Sequence, residues 1–480
     1  MAPTTHGYSH AMTLVDATTD DALGADDVME LLHRLRRREV SPEELAAAAQ
    51  DRIAAVNPQV NAVVTGVEVP TFDGPFAGIP TAIKDNQDLA GYATRHGSSA
   101  TADSPAREDM PFVGHFRSLG FVPLVKTTLP EFGLTASTES TTYGATRNPW
   151  NTRHSAGGSS GGSAALVASG ALPIAHANDG GGSIRIPAAV CGLVGLKPTR
   201  GRFPDRADLA KLPIHIVNQG VVTRSVRDTA YFFAESERIY PAPGMAPVGM
   251  VVRPERQRLR VGVLTQGLTD IPVDPQTSEA ARLAAQTLAD LGHDVVEVVS
   301  PVSEQFGRDF LRYWAMLSFL MQRAGNRVFG PGFHGDRTEA LTKGLAGMFI
   351  EQAERVPASL RRLRGMASEP EAIYDTVDVV VSPVVGHPAP PIGYLGPDVP
   401  VRRQLVRILQ FASFTALQNV TGAPAISLPL ARSSAGLPIG VQLATERGGE
   451  RRLLSLALEL EQALPWPVTP AALASGAGHN

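Results

Sequence analysis

The chain has 480 residues, 43% of them hydrophobic and 19% charged, with a formal net charge of −4. This is the composition of a soluble globular chain, and the length suits two or three ordinary domains or one large α/β core. The acidic balance and the scattered Lys and Arg residues exclude a nucleic-acid partner, which needs a basic surface; the densest basic run, Arg34 to Arg38, spreads around a helix as a solvated face.

Cys191 is the one cysteine, so no intrachain disulfide forms, and its apolar and glycine neighbours make it a buried small hydrophobe. No stretch approaches the roughly 18 uncharged apolar residues of a membrane span, and Met1 to Asp20 lacks the basic and apolar regions of a signal peptide. The expectation is a cytoplasmic protein with no membrane partner.

A polar segment, 1–25, is expected to be loosely ordered, with one domain following over 26–480. Val28, Leu31, Leu32 and Leu35 predict an amphipathic helix over Asp26 to Arg38. Ser41-Pro42-Glu43-Glu44 reads as a capping box with proline at the first helical position, starting a helix to about Val56. Asn61 to Val64 and Thr81 to Lys84 read as strands, the second delivering Lys84 to a strand end. A helix over Pro111 to Leu119 and a strand over Val122 to Val125 continue an alternation that favours a mostly parallel, covered sheet. Thr135 to Trp150 reads as a loop walling a pocket.

The stretch over 155–201 carries the chemistry. Two glycine-serine loops, Gly157 to Ser163 and Gly180 to Ser183, flank an apolar run from Ala164 to Ala175, long enough for a helix or a helix and then a strand. Gly180-Gly181-Gly182 before Ser183 can turn several amide N–H groups one way, an arrangement that stabilises an oxyanion. A flexible linker is the bland reading of such runs, but these are short, interleaved with apolar segments and followed by Ile184-Arg185-Ile186-Pro187.

Beyond this stretch, strands are expected at Arg258 to Leu264, Val295 to Val299, Asp378 to Val381, Ala425 to Leu428 and Gly440 to Leu443. Helices are expected at Ser278 to Leu291 and Leu454 to Ala463. Phe306 to Arg364 is helical, rich in Phe, Met, Leu and Arg, and lies in the region of about 300–370 where substrate-shaping variation is expected.

Gly157 to Ser163, Gly181 to Pro187 and Cys191 to Thr199 resemble the hallmark of the amidase signature family, and Phe76 to Asn86 resembles its lysine-bearing element. The resemblance implies a single α/β domain: a large, mixed, twisted sheet covered by helices on both faces. It implies a relay of Lys84 as base, Ser159 as bridging serine after a cis Gly158–Ser159 bond, and Ser183 as nucleophile. Amides of Gly180, Gly181, Gly182 and Ser183 would bind the oxyanion, with Ser160, Asp179 and Arg185 in support and Asp179 and Arg185 paired to hold the loop. Where the family usually has threonine or a similar residue before G-G-S, this chain has Gly180. Its N-D-G-G-G-S text resembles the branch of aminohexanoate cyclic-dimer hydrolases and urethanases.

Serine needs a base to act as a nucleophile, and lysine serves only when burial keeps it neutral. The expected activity is hydrolysis of C–N bonds in small amides, extending to carbamates and aryl esters, with no cofactor or metal and as a monomer or homodimer. Gly158-Ser159-Ser160-Gly161-Gly162 formally fits a nucleophile elbow, but Asn148 to Ala156 cannot supply the apolar strand that an elbow requires. The histidines form no H-E-x-x-H, and His176 reads as satisfied in the core or beside the site. The alternative is an amidotransferase subunit releasing ammonia from glutamine for transfer RNA transamidation. A catalytically dead scaffold is disfavoured by the joint presence of Lys84, Ser159 and Ser183.

Overall fold

Local sequence chemistry sets the helix starts. In the computed structural model, which describes residues 14–207, 209–267, 272–368 and 372–474, Asp27 caps the Val28–Arg36 helix by accepting from the Glu30 N–H. The capping box at Ser41 is complete: Ser41 Oγ accepts from the Glu44 N–H and Glu44 accepts from the Ser41 N–H, opening the Pro42–Val60 helix. Of the segment expected to be loose, residues 1–13 lie outside the described residues. Residues 14–25 are held instead, because Val15 and Leu23 are buried and the N–H groups of Val15 and Ala17 donate to Pro149 and Ser169.

Three strands, β1 (Val63–Gly66), β2 (Pro80–Lys84) and β3 (Val122–Thr127), form a small sheet with β3 in the middle. The stretch over 135–150, read as a loop, contains the short strands β4 (Glu139–Ser140), β5 (Gly144–Ala145) and β6 (Arg147–Asn148). β4 pairs with β5, and β6 pairs with β7 (Asn151–Ser155).

The remaining strands make one eight-stranded sheet. They are β8 (Ile174–Asp179), β9 (Val194–Lys197), β10 (Asn218–Thr223), β11 (Arg260–Val263), β12 (Asp294–Glu297), β13 (Val379–Pro383), β14 (Ala425–Arg432) and β15 (Pro438–Ala444), in the order β12-β11-β13-β15-β14-β9-β10-β8. The expectation of a mostly parallel sheet is corrected. Only β11 runs parallel to its neighbours β12 and β13, and every other pairing in this sheet is antiparallel. The cause is the connections: β14 and β15 are joined by a tight turn at Ser433–Leu437, and a short turn can join only antiparallel neighbours.

Every residue of β8, β9, β10, β13 and β15 is buried, so both faces of the sheet are covered. The apolar run read as helix or helix and strand is both: the Gly161–Ala168 helix turns directly into β8. Thr81 Oγ1 donates to the Ile174 carbonyl at 3.0 Å, and the Lys84 N–H donates to His176 Nδ1 at 3.2 Å. Side chains therefore lay β2 along β8, bringing the end of one sheet to the edge of the other.

The seam between sheet and helix is tight at Gly440 of β15, where an added Cβ would lie 2.3 Å from Ala189 Cβ in the Arg185–Cys191 helix. Gly440→Ala is expected to destabilise the protein by about 1–3 kcal/mol, the usual cost of overpacking a core. Urea denaturation monitored by Trp fluorescence measures it, and unchanged stability would contradict the close packing.

Candidate active site

β2 ends at Lys84, whose side chain is fully buried. Its Nζ lies 2.7 Å from Ser159 Oγ, 2.9 Å from Ser160 Oγ and 2.8 Å from Asn178 Oδ1. Burial lowers the Lys84 pKa from 10.5 to about 7, opposed by the negative charge of Asp179. The amine is therefore poised to lose its proton near neutrality, where an exposed lysine would keep it.

Ser159 follows a cis Gly158–Ser159 peptide. The turn is possible because its glycines pack closely against the 137–138 segment: a Cβ on Gly158 would sit 2.7 Å from the Ser137 backbone N, and one on Gly161 2.3 Å from the Thr138 side-chain Oγ1. Thr138 in turn donates to the Gly157 carbonyl and accepts from the Gly161 N–H, clamping the loop at both ends.

The second loop leaves the end of β8. Asp179 forms a fully buried ion pair with Arg185, Nε to Oδ2 at 2.9 Å, and Asp179 also accepts from Gly182 N–H at 2.7 Å and Ile184 N–H at 3.1 Å. Arg185, backed by its hydrogen bonds, holds the Asp179 carboxyl well below the usual carboxylate range. The expected local pairing is thus present, and the Arg185 guanidinium extends to Gln418, Asn419 and Gln442.

One expectation for this loop is corrected. Gly182 cannot offer its amide to an oxyanion, because that N–H is already donated to Asp179 Oδ1. Gly182 is needed for shape instead: its φ is +128°, and a Cβ there would lie 2.4 Å from Thr415 Oγ1. Thr415 donates to the Gly181 carbonyl at 2.6 Å and fixes the loop from the opposite side.

Ser183 is 9% exposed and opens with Gly158 and Gly181 onto a cleft. Its hydroxyl makes no hydrogen bond among the described residues, Ser159 included. One wall is an aromatic ladder on the Glu304–Arg323 helix: Phe306 stacks on Phe310 with ring centroids 6.2 Å apart, and Phe310 on Trp314 at 5.6 Å. The facing wall is Leu405, Ile408 and Leu409 of the Val401–Phe411 helix, continuing to Ala412 and Ala416. Thr135 and Phe306 to Trp314 fall within the expected pocket-walling segments over Thr135 to Tyr143 and Phe306 to Arg364, whereas the stretch from Arg202 to Gln219, also expected as a wall, contributes none of the residues that line the cleft. The Val401–Phe411 helix was not foreseen, although its apolar positions at i, i+3 and i+4 carried the signal.

Gly180 lies beside the same ladder. A Cβ at Gly180 would lie 3.4 Å from Val217 Cγ2 and 3.7 Å from Trp314, and one at Gly181 3.6 Å from Phe310, so both glycines have room for a methyl group at ordinary contact distance from the wall.

His176 was read as satisfied, and it is: Nδ1 accepts from the Lys84 N–H, so Nε2 carries the proton toward Gln219 Oε1 at 3.2 Å. Burial keeps this imidazole neutral, with its pKa lowered to about 3. Asn178, which contacts the lysine directly, was missed; an asparagine beside an aspartate in a strand carries no local pattern that marks it.

The amidase family model matches residues 44–454. The chain belongs to the amidase signature family. It is 44% identical over 467 residues to AmiC of Mycobacterium leprae, described as an amidase, with 95% of this chain and 98% of that protein covered. It is 37% identical over 476 residues to the 6-aminohexanoate-cyclic-dimer hydrolase of Paenarthrobacter ureafaciens, covering 90% and 93%. Among solved structures, 6-aminohexanoate cyclic dimer hydrolase complexed with substrate superposes with a TM-score of 0.82 at 35% identity, covering 92% of this chain and 98% of that one. A bacterial aryl acylamidase of the same family gives 0.79 at 26% identity, covering 92% and 96%. The protein is accordingly an amidase signature hydrolase acting on amides.

The lysine's environment has a measurable thermodynamic signature. Between the folded pKa of about 7 and the unfolded value near 10.5, the unfolded chain binds the proton that the folded site has lost, so this group's contribution to stability rises with pH. Lys84→Met is expected to reduce the slope of unfolding free energy against pH between 7 and 10, by at most about 1.4 kcal/mol per pH unit. Urea titrations at several pH values test this, and an unchanged slope would mean that Lys84 is protonated in the fold.

Proposed function

We propose that this amidase works through an acyl-enzyme on Ser183, with Ser159 and Lys84 as its proton relay, and that it accepts uncharged apolar acyl groups in amides, carbamates and aryl esters. The observation that carries this reading is a fully buried amine in 2.7 Å contact with Ser159, the residue after Gly158, which lines the same cleft as Ser183.

In acylation Ser183 Oγ attacks the carbonyl carbon, passing its proton to Ser159 as Ser159 passes its own to Lys84. The amides of Gly180, Gly181 and Ser183 receive the oxyanion, water-excluded donors being worth most where charge develops. Collapse breaks the C–N bond while the relay returns the proton to the leaving amine. Water activated by the same relay then releases the acid, and an acid released from a carbamate loses carbon dioxide.

The cleft favours this substrate class over glutamine. Among the described residues that line it none is charged, so a free amino acid would leave its ammonium and carboxylate unpaired in an apolar slot. The 6-aminohexanoate-cyclic-dimer hydrolase and the aryl acylamidase, by name, act on a cyclic dimer and on aryl acylamides, which supports the same reading.

The deciding experiment is amine release from an acylanilide, a phenylcarbamate and glutamine by the wild type and by Ser183→Ala. Turnover of the first two by wild type alone is expected, and turnover of glutamine alone would overturn the reading. The rate should rise with pH through about 7 as Lys84 loses its proton; a profile peaking below about pH 6 would count against lysine as base. A third test uses Gly307, which lines the cleft on the ladder helix and has open space where a Cβ would stand. Gly307→Leu is expected to lower kcat/KM for long acyl chains about tenfold while sparing acetyl substrates, the scale of a few misplaced methylenes. Equal losses across chain lengths would place the acyl group elsewhere.

A further inference from the structure

Counting protons around Lys84 assigns a role to a residue that the relay itself does not include. A neutral primary amine has two N–H donors and one lone pair, and Lys84 Nζ has three polar neighbours. Only one of those neighbours can face the lone pair. The relay requires it to be Ser159, since Ser159 must surrender its proton to Lys84.

Two features decide the distribution. Asn178 presents Oδ1 to the amine at 2.8 Å, and a carboxamide oxygen only accepts, so it takes one N–H. The orientation of that amide is held by Asn86: Asn178 Nδ2 donates to Asn86 Oδ1 at 3.0 Å and Asn86 Nδ2 donates back to Asn178 Oδ1 at 3.3 Å. Ser160 directs its own hydroxyl proton to the Asn178 backbone carbonyl at 3.3 Å, which leaves Ser160 Oγ as acceptor for the second N–H. Both donors are then used, and the remaining direction, along the shortest of the three contacts, points at Ser159.

We propose that Asn178 is a positioning residue that turns the Lys84 lone pair toward Ser159, acting through its side-chain oxygen on one N–H and its backbone carbonyl on Ser160. Both halves of the clamp come from one residue in β8, so strand and amine are set together. The inference rests on the relay proposed above and adds to it the reason why the amine is basic toward one serine and not the other.

The charged and titratable groups around the amine leave the assignment readable by pH. Asp179 is paired with Arg185, and Asp85, next in sequence to Lys84, is paired with Lys126 at 2.7 Å. His176 is neutral, its Nδ1 occupied by the Lys84 N–H. A limb near neutrality in the rate profile therefore belongs to the lysine.

The test compares kcat and KM against pH for wild type, Asn178→Ala and the isosteric Asn178→Asp, with an acylanilide as substrate. Removing the acceptor in Asn178→Ala should lower kcat tenfold or more, the usual scale for a supporting partner, leave KM within about twofold and move the limb to lower pH. A carboxylate in its place favours the ammonium, so Asn178→Asp should move the limb up by about 1–3 pH units and recover rate at high pH. Opposite displacements are the expected result. Limbs unmoved in both variants, or moved the same way, would overturn the proposal, because a residue that merely holds the strand has no reason to shift them oppositely. Should one variant fail to fold, the limb of the other decides alone: an unmoved limb is again contrary. Labelling of wild type by a fluorophosphonate, lost in Ser183→Ala, separates the two levels. Absent labelling rejects the acyl-enzyme reading, whereas labelling with unmoved limbs rejects only the role of Asn178.

Discussion

The constraint on which the site depends is the removal of one amine from water. Lys84 sits at the meeting point of two sheets with no solvent access, and a charged ammonium there would cost far more than the surrounding neutral dipoles return. The fold responds by surrounding it with three oxygens and no carboxylate in contact, so the neutral form becomes populated near pH 7 with both of its N–H groups satisfied. An aspartate at contact distance would restore the charge and remove the base. The nearest carboxylate with a resolved influence, Asp179, is turned the other way and neutralised by Arg185.

That geometry follows from the join between β2 and β8. Strands of one sheet would exchange backbone hydrogen bonds along their length, and the lysine would then be fixed by ladder register alone. Here the join is made by side chains, Thr81 to Ile174 and His176 to the Lys84 N–H, which leaves room between the strands for the amine and for the serine loop. His176 thus serves as a surrogate ladder acceptor, and its neutrality is required, since an imidazolium would carry no acceptor at Nδ1.

Much of this was legible in the sequence because it depends on local rules. The capping box at Ser41, the strand ending at Lys84 and the two glycine loops are each written in contiguous residues, and the structure builds each of them. What was not legible depends on pairs distant in the chain. The direction of β13 against β15 and the cleft wall at Leu405 and Ile408 are decided by which segments meet, and alternation of helix and strand does not encode that. Gly182 shows the same limit within a motif: the family resemblance implied four oxyanion-binding amides, whereas a carboxylate three residues earlier claims one of them.

Gly180 joins these strands of argument. As sequence it is a departure from the family's usual residue; as structure it stands beside the indole of Trp314, which leaves room for a Cβ at ordinary contact distance. Trp314 is held there by its own N–H, which donates to the Leu134 carbonyl at 3.1 Å, and by stacking on Phe310. The loop that presents the amides and the wall that shapes the cleft are therefore one packing unit. A methyl group at Gly180 would meet Val217 and Trp314 at ordinary contact distance, so the loop that carries the amides and the wall that sets the width of the slot touch at this position.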